Sequence, residues 1–300
     1  MIGMLKTPGK MVFPLGSMGL LNWLPDSKYV KLLFRGEMGY ALNLDHPVTF
    51  NEKLQWLKIN DHRPEYKDFV DKLKAKEIVG RIIGNEYIVP IYGAWKNADE
   101  IPFDRLPDQF VLKCNHDQGS VIVVPRKNDI NRQHVTDTLN KKLKNNIYRG
   151  TREYQYKDIP PMVFAEKYLG DSIIDYKFYC FNGEPKFLYC GQGLTSDHSL
   201  KIDFYDLNWK RMPFYRTDYH RLGDIDKPEH LDEMISIAEK LSKGVPFVRI
   251  DLFEVDGRVF FSEFTLCPAS GLMPFVPAEY DKIVGDMLDL TEAGIRESGK

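Results

Sequence analysis

The sequence has no CxxC pair. Its cysteines, Cys114, Cys180, Cys190 and Cys267, are scattered, and no Cys/His cluster shows zinc-ligand spacing. Neither a structural zinc site nor a dense disulfide framework is expected, and reducing, cytoplasmic conditions suit the chain. An excess of one charge is also missing: 41 Lys and Arg stand against 43 Asp and Glu, for a net charge of -2. No whole-molecule field favours nucleic acid, and none is expected as a partner. There is no internal repeat, no low-complexity tract, no GxxxxGK[ST] phosphate loop and no HRD or DFG motif. Long hydrophobic runs are scarce too. "MVFPLGSMGLLNWLP" follows Lys6 and Lys10, but Pro14 and Gly16 interrupt it and no small-x-small cleavage site follows. It falls short of the roughly 20 residues a membrane span needs. A short helix or packed arm is expected there, with peripheral membrane contact as the alternative.

What is present is enough for a sizeable core: 300 residues, 43% of them apolar. The first 66 residues read as helical and irregular. "TFNEKLQWLKIN" carries an apolar stripe (Phe50, Leu54, Leu57) behind a Thr49/Glu52 capping box. "RPEYKDFVDKLKAKEIVGRIIG" reads as one amphipathic helix closed by Gly84. Short β-branched and aromatic runs follow: "EYIVPIYGAW", "DQFVLKCN", "SVIVVP" and, after a helical piece near 130–145, "PMVFAEKYLG". "IIDYKFYCFNGEPKFLYC" is a hairpin with its tight turn at Asn182-Gly183. "LKIDFYDLNWK" continues the sheet, "PEHLDEMISIAEKLSKG" is a helix, and a last helix falls near 279–290. Hairpins outnumber βαβ units, which predicts an α+β fold with antiparallel sheets.

Chemistry concentrates in "RIDLFEVDGRVFFSEFT", a hairpin turning at Asp256-Gly257. Arg249 and Asp251 share one face of their strand, as do Glu263 and Thr265 of theirs. A two-residue loop pairs Asp251 with Ser262; a three-residue loop, Val255-Asp256-Gly257, puts Asp251 and Glu263 on one face. The odd-length loop is predicted, with Phe253 and Phe261 filling the rest of that face. Adjacent carboxylates repel unless a cation lies between them. Oxygen donors suit Mg²⁺, and Arg249 suits a phosphate. The plain alternative is a solvated sheet face with a surface ion pair. Other candidates are Lys113 in "FVLKCNHDQGS", whose turn could offer backbone N–H groups to phosphate, His116 in that turn, and the strand end "EKYL". Asp175 and Lys177 share a strand face and could form a cross-strand ion pair.

Taken in order, these segments resemble the ATP-grasp superfamily over residues 67 to 290. "TFNEKLQWLK", "LPDQFVLKCNH", "DYKFYCFNGEPKF" and "FYDLNW" resemble its TupA-like branch, associated with cell-surface polysaccharide synthesis. The resemblance implies a helical region 1–66, a lid subdomain 67–164 and a C-terminal subdomain 165–300, gripping ATP between antiparallel sheets. It implies ATP contacts from Lys72, Lys113, Ser120, Glu166, Lys167, Leu169, Asp175 and Lys177, with backbone atoms of the "EKYL" hinge on adenine. Mg²⁺ would be held by Asp251, Glu263 and Thr265, although the superfamily usually has Asn where Thr265 stands. Arg249 and Lys113 would be catalytic, and His116, Pro268 and Gly271 would contact substrate.

The activity implied is an ATP-dependent carboxylate–amine ligase, proceeding through an acylphosphate. Its substrates would be an amino acid or amine and a uronic-acid carboxylate on a surface glycan or its precursor, used in the cytoplasm, at or away from the inner face of the membrane. Two alternatives stand beside it. A glycosyltransferase would use Asp203 and Asp206 with the Asp251/Glu263 pair but leaves Lys72 and Lys113 unexplained. A non-catalytic ATP-binding protein is suggested by Thr265. A kinase-like phosphotransferase, hinted at by "FVLK", lacks the motifs noted above.

Overall fold

A computed structural model describes residues 8–171, 173–193 and 199–291. Helices α1 (Val12–Ser17), α2 (Asp26–Met38) and α3 (Phe50–Asn60) open the chain. The capping box of α3 forms as expected: the Thr49 hydroxyl accepts from the Glu52 N–H, and the Glu52 carboxylate accepts from the Thr49 N–H. The next segment is not one helix. It breaks into α4 (Tyr66–Val70) and α5 (Lys72–Ile82), because Asp71 leaves helical geometry and caps α5 by accepting from the Leu73 and Lys74 N–H groups. Gly84 lies beyond this helix and does not cap it.

A four-stranded sheet follows, in the order β1 (Ile91–Trp95), β4 (Val163–Lys167), β2 (Phe110–Cys114), β3 (Val121–Val124), with every pair antiparallel. Helices α6 (Arg132–Lys142) and α7 (Ile147–Thr151) lie between β3 and β4 in sequence. One face of this sheet (Phe110, Leu112, Cys114, Val163, Ala165) packs on Val135 and Leu139 of α6. The other face carries Val111, Lys113, Phe164 and Glu166.

The second sheet has six strands. Its members are β5 (Ile174–Phe181), β6 (Glu184–Gln192), β7 (Lys201–Asp206), β9 (His220–Arg221), β10 (Phe247–Val255) and β11 (Arg258–Thr265), in the order β11-β10-β5-β6-β7-β9. Only its β7–β9 edge is parallel. The remaining elements are the small pair β8 (Tyr215–Arg216) and β12 (Phe275–Val276), the helix α8 (Leu231–Ser242) and α9 (Tyr280–Gly285), shorter than expected. Asn182 and Gly183 both take positive φ (50° and 86°), the two-residue turn read from the sequence.

One face of the six-stranded sheet buries Tyr176, Phe178, Cys180, Val248, Ile250 and Leu252 under the amphipathic side of α8. The opposite face changes character along its length. At one end Tyr179, Phe181, Phe187, Phe204 and Phe247 pack beneath Phe50 of α3. The Phe50 ring lies 5.0 Å from Phe247 and 5.5 Å from Phe181. At the other end the face turns polar, and the site lies there. All four cysteines are free and buried. Among the described residues no helix is long and apolar enough to cross a membrane.

Candidate functional site

The β10–β11 hairpin carries the first polar centre. Its loop is the two-residue Asp256-Gly257 turn, with Val255 paired to Arg258, and not the predicted three-residue loop. Asp251 nonetheless pairs with Glu263, because the register slips at a β-bulge: Leu252 pairs with Phe261, and Ser262 is the extra residue. The bulge does what the odd-length turn was expected to do. It also reassigns the phenylalanines. Phe260, opposite Phe253, shares the site face, while Phe261 faces the α8 core.

Asp251 is fully buried and held from two sides. Arg249 Nε and Nη2 donate to its two oxygens at 2.7 and 2.6 Å, and Lys177 Nζ, on the neighbouring strand, donates at 2.5 Å. β5 places Lys177 directly opposite Asp251. Lys177 also binds Asp175, so the expected ion pair forms within one strand and across to Asp251 together. Burial alone would raise the Asp251 pKa; Arg249 and then Lys177 hold it below the usual carboxylate range. Asp175 goes the other way: burial pushes it up to about 6 despite the Lys177 ammonium. Glu263 is looser, 3.6 Å from Arg249 and 4.0 Å from Lys72, with 31% of its side chain exposed. The Thr265 hydroxyl accepts from Arg249 Nη2 at 3.0 Å, which makes it a support for the guanidinium in this arrangement.

The second centre lies on the free face of the four-stranded sheet. Glu166 of β4 is buried between two ammonium groups, Lys113 of β2 and Lys76 of α5, the latter at 3.1 Å. Burial works to raise its pKa, yet Lys113 and Lys76 bring it down to about 2. The Glu166 side chain is therefore an ion-pair anchor, while the sequence suggested a backbone contact. Lys76 was not singled out in the sequence. The available signal was its spacing: it follows Lys72 by one helical turn on the same face of α5. Lys72 Nζ bonds the Asp117 carbonyl and approaches Glu263. Helix α5 thus touches both centres. Lys167 ends β4, exposed, with its N–H donated to Pro90 at 2.8 Å; Leu169 lies just past the strand.

Segment 115–120 closes over the Lys72 end of α5. Asn115 is pinned by bonds to Met162 and Pro160, and the Ser120 hydroxyl turns inward onto Asp117. His116 is buried, with both ring nitrogens lacking a hydrogen bond of normal geometry; a backbone contact with Asn145 falls short of one. Burial lowers its pKa, which keeps the imidazole neutral. After β11, Pro268 and Gly271 bracket a turn in which Ala269, Ser270 and Gly271 all have left-handed φ (48°, 54° and 68°). Two successive non-glycine residues there imply stored strain. Helix α3 holds the turn: Gln55 Nε2 donates to the Ser270 and Gly271 carbonyls at 2.8 and 2.9 Å, and Lys58 Nζ to the Ser270 carbonyl at 2.9 Å. A Cβ on Gly271 would lie 2.7 Å from Gln55 Nε2.

The two centres differ in charge. Lys76 and Lys113 outnumber Glu166 and leave one positive charge over, which suits phosphate. Asp175, Asp251 and Glu263 face Arg249 and Lys177, with Lys72 4.0 Å from Glu263, so this centre is balanced but rich in carboxylate oxygens, which suits a cation. Among the described residues no three His, Cys, Asp or Glu side chains converge as a finished metal cluster. Two register-paired carboxylates still fit Mg²⁺, which takes one or two protein carboxylates and completes its shell with water and phosphate oxygen. Asp203 and Asp206, required by the glycosyltransferase alternative, do not join this site. Asp203 is buried against Arg221 and the Gly223 N–H, and Asp206 closes the 206–210 turn by accepting from Asn208 and Lys210.

Largely antiparallel sheets with two polar centres, bridged by a lysine-bearing helix, are those of an ATP-grasp fold. The model of one of its branches, described as TupA-like ATPgrasp, matches residues 52–289, and the chain belongs to that family. No curated protein matches the sequence significantly. Among solved structures, the chain is similar to D-alanine–D-alanine ligase from Bacillus anthracis (18% identity, TM-score 0.40, covering 66% of this chain and 57% of that one). The ATP complex of that enzyme gives 17% identity and a TM-score of 0.42, over 78% of this chain and 68% of that one. An L-amino acid ligase from Bacillus licheniformis gives 12% identity and a TM-score of 0.45, over 75% and 51%. The chain spans little more than half the length of the first of these and of the last.

Proposed function

We propose that the protein is an ATP-dependent carboxylate–amine ligase that uses Mg²⁺. The observation that carries this reading is the bulged register of β10 and β11, which sets Asp251 opposite Glu263 beside Arg249. In this reading residues 67–164 form the lid, residues 165–300 carry the ATP and metal face, and residues 1–66 support the substrate turn. An acceptor carboxylate oxygen bonds to the γ-phosphorus as the bridging P–O bond to ADP breaks. The amine nitrogen then bonds to the acyl carbon as phosphate leaves. Such transfer needs positioning and charge neutralisation more than covalent help from the protein.

Asp251 and Glu263 would hold Mg²⁺, which would supply neutralisation of phosphate charge. The pairs already on Asp251 would have to loosen for this, and that frees Arg249 for phosphate. Lys113 and Lys76 would carry phosphate charge from the lid side, and Lys72 from the start of α5 and Ser120 from the 115–120 segment would meet it. The 166–169 strand end would border the base, and Asp175 and Lys177 the sugar-phosphate. His116, neutral and buried, and the Pro268–Gly271 turn would contact substrate. The acceptor is a uronic-acid carboxylate of a surface glycan or its precursor, the donor an amino acid or amine, and the reaction is cytoplasmic, at or away from the inner face of the membrane. That choice of substrates rests on the family to which the chain belongs.

The test is incubation with ATP, Mg²⁺, glucuronate-type acceptors and an amino-acid panel, reading ADP and new amide by mass spectrometry. ADP and amide together are expected. AMP release, or consumption of a UDP-sugar with no amide, would overturn the reading.

A further inference from the structure

The N-terminal helices leave several bulky apolar side chains exposed. Tyr29, Val30, Leu33 and Phe34 of α2 are buried, with Val12, Leu21 and Leu24 packed on them. Yet Met18, Leu20 and Trp23, in the turn between α1 and α2, stand 72%, 59% and 77% exposed, and Phe13 of α1 and Leu32 of α2 are exposed as well. Bulky residues left in water over so short a stretch mark an interaction surface.

Charge identifies what covers it. The exposed stripe of α2 reads Lys28, Lys31, Leu32, Arg35, the i, i+3, i+4, i+7 positions of one helix face. None of these cations forms an ion pair among the described residues, and neither does Lys10, exposed just before α1. Gly9 packs against Gly36, which brings the Lys10 end beside the end of α2. The acids of this helix point away: Asp26 and Glu37 fall on the far side of the helical wheel, and Asp26 is paired with Arg152 and accepts a hydrogen bond from the Tyr148 hydroxyl. A net-negative protein thus gathers unpaired cations beside exposed Trp and Leu.

From this we infer that α1, α2 and the turn between them are a docking surface for an anionic lipid bilayer. Trp23, Met18 and Leu20 would enter the headgroup region, and Lys28, Lys31 and Arg35 would lie against lipid phosphates. The fit is to a lipid surface because exposed bulky apolar side chains and a helical row of cations occur together on one short stretch, the combination that an anionic headgroup layer receives. The inference does not depend on the ligase reading; the site lies on other elements.

The test is co-sedimentation of the full chain with vesicles of phosphatidylcholine alone and of phosphatidylcholine with phosphatidylglycerol, with tryptophan emission recorded. Binding to the anionic vesicles only, with a blue shift lost in Trp23→Ser, is expected. Lys28→Glu/Lys31→Glu/Arg35→Glu should weaken binding at least roughly tenfold, and salt should weaken wild-type binding. Met18→Ser/Leu20→Ser should weaken it at low salt too. An unchanged thermal melt shows that these variants fold. Failure to bind either vesicle, or binding unaffected by both sets of variants, overturns the inference. So does a wild-type dimer in sedimentation equilibrium that Trp23→Ser dissociates, because a second copy would then be the occupant.

Discussion

Asp251 and Glu166 are the same device used twice. Each is a buried carboxylate gripped by two cations, one on each sheet. Their neighbours separate them. Around Asp251 stand two more acids, Asp175 and Glu263, with Lys72 near the latter; around Glu166 there is no second acid, and two lysines tip the balance positive. A buried acid with two bases is by itself a structural anchor. What each centre can bind is decided by the next charge outward.

The largest expected effect tests whether both are anchors. Asp251→Asn leaves Arg249 and Lys177 buried with one compensating charge fewer, and should cost about 3–5 kcal/mol in a urea titration. It should also abolish Mg²⁺-dependent ATP binding. Full stability in this variant would mean that Asp251 is no anchor and that the likeness between the centres is superficial.

Glu166→Gln comes next, and its cost should depend on pH. The folded value of about 2 lies below the unfolded 4.5. The carboxylate therefore contributes stability that is complete above pH 4.5 and lost as pH falls toward 2. The gap between wild type and variant should be roughly 3 kcal/mol at pH 7 and narrow in that acid window, read by urea titrations across pH. ATP should bind the variant no more weakly, because it adds positive charge. Weaker binding at unchanged fold would break the assignment of this centre to phosphate.

Lys58→Met should loosen the 268–271 turn, at about 1–3 kcal/mol for the lost charged bonds to Ser270. Acceptor KM should rise with ATP affinity kept. Glu263→Gln should have the smallest effect on stability, within about 0.5 kcal/mol, because Glu263 is partly exposed and only loosely paired. Its turnover should nonetheless vanish. A large loss of stability would make Glu263 a structural residue and remove the contrast with Asp251.

Much of this was legible because local rules were obeyed. The Thr49 capping box, the Asn182-Gly183 turn and the stripe of α8 are set within a few residues, and the structure follows them. The carboxylate pair was legible as a pair, but the means was not: nothing in "VFFSEFT" announces that Ser262 steps out of the ladder. The break at Asp71 was hidden by a helical pattern continuous on both sides, although Asp at that point is a good cap. Lys76 was missed because a lysine inside an amphipathic helix reads as solvated surface; only the sheet placed above it makes it part of a site. Arg249 was legible as a site residue, but its bidentate bond to Asp251 was not, because it depends on side-chain direction, which strand alternation alone does not fix.

The bulge at Ser262 works as a change of phase. Counted from the Asp256-Gly257 turn, the hairpin is in one frame; counted from Arg249 and Thr265, it is in the other. The tip and the site are therefore separately adjustable. The tip could be lengthened by whole pairs, or opened to receive an epitope tag between Asp256 and Gly257, and the carboxylates would keep their places, because the phase that sets them is fixed below the point of insertion.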